Sequence, residues 1–137
     1  MANTLFDKAR ERFATAQLHW VNDSIKSCLV KTTGGYTVNP TNHEFWSDVG
    51  TSARITVPVT LASKAVVGGA VDSADVTFTS VSGDTIGAIL LYKDVGGVDA
   101  DSPLIAYLDT ATGLPLTPNG GDIILTVDNG PNRWFRL

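Results

Sequence analysis

Apolar residues in the first twenty positions recur at steps of three and four. Leu5, Phe6, Ala9, Phe13 and Ala16 fall on one stripe that Trp20 extends, while Lys8, Glu11 and Arg12 lie off it. Thr4 followed by Asp7 has the spacing of a helix start, a hydroxyl able to cap a first-turn amide and an acid at the positive end of the dipole. The pattern predicts one helix over about residues 4–18. Its aromatic stripe has to be covered, either by the chain's own sheet or by a neighbouring subunit, since a helix near a chain end is readily donated across an interface.

After residue 20 the period changes to two and β-branched residues take over. Ile25–Lys31 and Arg54–Thr60 read as strands. Pro58 cannot donate to a ladder, so the second belongs at a sheet edge or a bulge. Residues 39–53 read as a long polar loop that carries His43, Phe45 and Trp46. Further strands are expected at Ala74–Ser80, Ile86–Lys93, Leu104–Asp109, Asp122–Val127 and Arg133–Leu137. Ile86–Lys93 is almost continuously apolar and so reads as a central strand covered on both faces. Asp128-Asn129-Gly130 has the composition of a type I′ hairpin turn, and the pairs Gly68-Gly69, Gly96-Gly97 and Gly120-Gly121 read as turns. About seven or eight short strands at turn spacings of ~8–12 residues predict an all-β, antiparallel sandwich or jelly-roll-like barrel, with one N-terminal helix. The 137 residues form one expected domain, the helix followed by a β-domain over about 25–137.

Composition narrows the function classes. Hydrophobic residues make up 43% and charged residues 18%, below the ~25% usual for globular domains, which argues against disorder. No apolar run approaches the ~18 residues of a membrane span, so no membrane partner is expected. The first twenty residues are charged where a leader would have its apolar core, so none is expected. The formal charge of −4 is uneven. Residues 1–31 hold five Lys/Arg against three acids, whereas residues 65–130 hold Lys93 against nine Asp. Such a body repels phosphate, so no nucleic-acid partner is expected. The basic segment could dock on an acidic partner or be an ordinary solvated helix face.

Residues with chemical potential are few. Cys28, the single cysteine, sits in an apolar strand and reads as a small buried hydrophobe. His19 and His43 are the only histidines, and they read as two independent surface or interface residues instead of a shared metal site. Asp94, Asp99 and Asp101 share a glycine-containing loop, but the calcium-loop spacing is missing and a solvated hairpin is the simpler reading. Gly-x-Ser-x-Gly, the P-loop and the dinucleotide fingerprint are all missing. The expectation is therefore no enzyme, no cofactor and no metal. Trp134 reads as core. Phe45 and Trp46 are large aromatics in a polar loop, either a plug on the chain's own core or an interface anchor.

Several segments resemble a family of small tailed-bacteriophage virion proteins. They are the opening MANTLFDKARERF with Trp20-x-x-Asp23-x-Ile25-Lys26, then Ala74–Phe78, Leu91–Asp94, Leu104–Pro115 and Pro118–Asp122. The similarity runs the length of the chain and falls on strands and turns, so it implies a structural virion component made in the host cytoplasm. Acidity and small size favour a capsid decoration or cement protein, a symmetric homo-oligomer whose partners are itself and the major capsid protein. A neck or tail component and a carbohydrate-binding adsorption domain are the alternatives. Leu5, Phe6, Arg10, Phe13, Phe45 and Trp46 are the expected partner-interface residues.

Overall fold

In the computed structural model, which describes residues 3–127 and 133–137, apolar runs become strands and turn clusters separate them. The order is β1 (Thr4–Leu5), α1 (Asp7–Ala14), β2 (Ile25–Val30), β3 (Val59–Thr60), β4 (Ala65–Val67), β5 (Ala70–Asp72), β6 (Val76–Phe78), β7 (Ala88–Lys93), β8 (Leu104–Leu108), β9 (Ile123–Leu125) and β10 (Phe135–Arg136). Short 3₁₀ turns occupy Trp46–Asp48, Thr51–Ala53 and Asp99–Asp101. Among the described residues the chain is all-β with one helix, and every strand pair is antiparallel. The Asp128–Gly130 hairpin signal lies outside the described residues.

The strands gather in three sheets. The largest has the order β1-β8-β7-β2-β3, the next β10-β5-β4, and the smallest pairs β6 with β9. The apolar run of β7 lies in the middle of the five-stranded sheet, with Ala88 to Tyr92 all buried. Pro58 precedes β3, which is that sheet's outer strand, as its missing amide requires.

Directly opposed residues share a face, so the register assigns the two sides of the sheet. Leu29, Ile89 and Leu108 stand on one side, and Ile123, Leu125 and Trp134 line a groove against them. Cys28, Leu90 and Tyr107 stand on the other, where the segment between β2 and β3 folds over them. Tyr36 of that segment reaches Tyr107 at 6.2 Å between ring centroids, and Cys28 lies against the Thr56 carbonyl. Both faces are thus covered, which a run as apolar as β7 demands.

The helix is shorter than its periodicity predicts. Thr4 and Leu5 leave it to pair with Tyr107 and Ala106, because the outer edge of β8 offers ladder hydrogen bonds there. The Thr4 hydroxyl bonds the Leu5 carbonyl instead of capping, and Phe6 occupies the cap position without a side-chain bond. At the other end Ala16 turns left-handed, with φ of 59°. Gln17 N–H then donates to Arg12 O and Ala16 N–H to Phe13 O, the Schellman pattern with alanine where glycine usually stands. The stripe is covered by the chain's own sheets. Phe6 and Ala9 are fully buried, and Phe13 and Trp20 meet Phe135 edge-on at 6.4 and 5.7 Å.

A hairpin that the sequence pattern did not predict as strands, β4–β5, turns at Gly68-Gly69, both with positive φ (58° and 81°), as a two-residue turn between twisted strands requires. The predicted strands Arg54–Thr60, Ala74–Ser80, Asp122–Val127 and Arg133–Leu137 survive only in part, each paired over two or three residues.

The strain at Ala16 yields a prediction. A left-handed alanine costs roughly 1–2 kcal/mol that glycine does not, and position 16 is exposed. Ala16→Gly is expected to raise unfolding stability by about 1 kcal/mol in urea titration. A loss of stability would refute the Schellman assignment.

Candidate functional site

The six residues expected at a partner interface have different fates. Phe6 and Trp46 are corrected: they are buried at 0% and 2% exposure inside the chain's own core and present no surface to a partner. Leu5 and Phe13 are half-buried against that core, and Phe45 is half-buried with the Arg12 guanidinium 5.3 Å over its ring. Arg10 is exposed on α1, with Asp7 at 3.4 Å.

Trp46 is a plug because two side chains need it. Its ring lies flat on Tyr92, 4.3 Å away at 8°, and the Arg54 guanidinium lies over the same ring at 4.1 Å. Arg54 then ties three segments together. Its Nε and Nη2 donate to the Val49 carbonyl, Nη2 also to that of Trp46, and Nη1 to Asp99 at 2.8 Å. Planar geometry lets one guanidinium stack and bond at once. Burial pushes the Tyr92 hydroxyl well above its ordinary pKa. At the start of the same 3₁₀ turn, Asp48 accepts the backbone amides of Glu44 and Phe45 at 2.8 and 3.0 Å.

Folding pairs the cations of the N-terminal segment with carboxylates, several of them from the acidic body. All five cations of residues 1–31 sit in ion pairs: Lys8 with Glu11, Arg10 with Asp7, Arg12 with Glu44, Lys26 with Asp94 and Lys31 with Asp84. Lys93 meets Asp23 at 3.2 Å, Arg133 meets Asp72 at 2.8 Å, and the Lys64 ammonium bonds the Asp23 carbonyl. The basic segment is therefore no free cationic patch. The acidic loop is divided too, since Asp94 turns to Lys26 and Asp99 to Arg54. Among the described residues no group of three or more His, Cys, Asp or Glu is placed to hold a metal.

The remaining reactive types serve the core. Cys28 is fully buried and its thiol is pushed up by burial. His43 Nδ1 lies 2.8 Å from the Tyr36 hydroxyl, which burial raises well above the tyrosine range. His19 keeps to its own loop, with Asn22 as partner. Trp134 is core, and its Nε1–H donates to Ser73 Oγ at 2.8 Å.

Two concave surfaces stand out among the described residues. A groove of about 800 Å³ runs between the five-stranded sheet, β9 and residues 110–116. A smaller one, about 340 Å³, separates β1 from β10 and carries Leu5, Arg10, Phe135 and Arg136. Sequence reasoning singled out Leu5 and Arg10 but missed Phe135 and Arg136, whose two-residue strand carries no local signal of its partner. No protein-family model matches the chain, and no curated protein is significantly similar to it.

Two predictions follow from this geometry. Arg54→Lys keeps the charge but cannot stack and fork together, and is expected to cost about 2–4 kcal/mol, since bonds to a charged group are worth ~1.5–3 kcal/mol each. Denaturant unfolding checks it; a change below about 0.5 kcal/mol, the usual surface range, would remove Arg54 from its place at the joint. For Asp48, burial favours the protonated acid, but the two amides and nearby His43 outweigh it and hold the pKa below the usual aspartate value. A group depressed on folding stabilises above its unfolded pKa, near 4, and loses that contribution as pH falls through the folded pKa. Asp48→Asn should therefore flatten the acid limb of the stability curve below about pH 4; an unaltered limb would contradict the assignment.

Proposed function

We propose that this chain is a non-enzymatic structural protein of a tailed-bacteriophage virion. Its role is that of a capsid decoration or cement protein, binding the assembled shell as a symmetric homo-oligomer with the major capsid protein as partner. The observation that carries this reading is how its charge is used. At least eight of the ten Lys and Arg residues are held in ion pairs within the chain, which has an acidic surplus and, among the described residues, no basic stripe for phosphate. Such a surface suits contact with protein on the outer side of a shell. The resemblance of the strand and turn segments to small virion proteins supports it further.

A decoration protein binds the assembled state alone and therefore stabilises it by mass action. That reading sets expectations for particles. Quantitative mass spectrometry of purified virions should find hundreds of copies per particle, and adding the full chain to particles lacking it should raise the temperature of DNA release. Six or twelve copies would instead assign it to the neck, a handful to a tail tip, and complete absence from particles would reject a virion role.

A further inference from the structure

The groove between β1 and β10 lies between the outer strands of two different sheets. Leu5 and Phe135, both half-buried, supply its apolar lining, and the exposed Arg10 and Arg136 supply its charge. Arg10 makes a long, exposed contact with Asp7, a geometry that contributes little, and Arg136 donates to the Gly68 carbonyl at 2.9 Å. Two guanidinium groups thus border an apolar slot on a chain whose net charge is −4.

The same chain carries the complement. The connection from β7 to β8 exposes Val95 (37%) and Val98 (49%) around Gly96-Gly97, followed by exposed Asp101. It is rigidly held. Asp94 pairs with Lys26 and Asp99 with Arg54, while Ser102 Oγ accepts the Val95 amide and donates to the Val98 carbonyl. Its ion pairs draw it toward β2, whereas the groove lies past β8 at the opposite edge of the five-stranded sheet. A chain so tethered does not fill its own groove with its own loop, but a second copy is free to do so.

We propose that residues 95–101 of one copy seat in the β1–β10 groove of the next, Val95 and Val98 against Leu5 and Phe135, and Asp101 between Arg10 and Arg136. Two different patches meet, so the contact is head-to-tail and either closes into a ring or continues as a chain. The proposal rests on the decoration reading for its biological setting and specifies the oligomer contact that reading requires.

Charge reversal tests it. Light scattering should find the wild type oligomeric, and either Arg10→Glu with Arg136→Glu or Asp101→Arg alone should weaken association at least tenfold. All three positions are exposed, and circular dichroism checks that each variant folds. Mixing the two deficient variants should restore assembly with the two alternating, since one contact between them keeps the wild-type pairing and the other is its charge-swapped equivalent. A monomeric wild type, or an oligomer indifferent to both reversals, would overturn the proposal. Shell occupancy measured on the same variants separates the two ideas: a monomer that still saturates capsids leaves decoration standing, and an oligomer that ignores capsids leaves only this contact standing.

Discussion

A sheet buried on both faces has to be covered twice, and the rest of this molecule follows from that requirement. β7 and β8 present apolar side chains up and down along their whole length. One side is closed by strands that belong to other sheets, the other by a long segment with little regular structure. Strand closure relies on apolar contact. The irregular segment cannot, because its backbone groups need partners of their own. Bonds to neighbouring backbone and to single side chains supply them: Trp46 N–H donates to the Ser102 carbonyl and Ile55 N–H to that of Leu29, Arg54 takes the Trp46 and Val49 carbonyls, and Asp48 takes two amides.

This division explains how much the sequence reveals. The middle of the fold is legible because a run such as Ile86–Lys93 admits few readings, and Pro58 marks an edge by chemistry alone. The ends are not. Thr4 and Leu5 continue a helical stripe, and only the free edge of β8, a hundred residues away in the chain, makes them a strand. β4 and β5 escape detection because Ala65-Val66-Val67 does not alternate, and Val66 and Val67 are each about half exposed. Local preference is silent where pairing is set by a distant partner.

The candidate site follows the same logic. That Phe45 and Trp46 are contact-making residues is plain from their placement among polar neighbours, but the direction of the contact is not. It depends on Tyr92 offering a flat ring and Arg54 a planar cation, neither adjacent in sequence. Charge is similar. Counting along the chain suggests a basic head and an acidic body, whereas folding brings Lys26 to Asp94 and Lys31 to Asp84. Arg10 and Arg136, far apart in the sequence, come to border one groove beside β10, which no one-dimensional window contains.

The N-terminal strand has a consequence during synthesis. Asn3 accepts the amides of Asp109 and Thr110, separations of 106 and 107 residues, and Thr4 and Leu5 lean on the same late strand. The ribosome therefore releases the first strand and the helix behind it long before their binding edge exists. Until β8 has emerged, Leu5 and Phe6 lack the strand that covers them, and a message truncated ahead of β8 would yield a sticky fragment instead of a smaller folded protein.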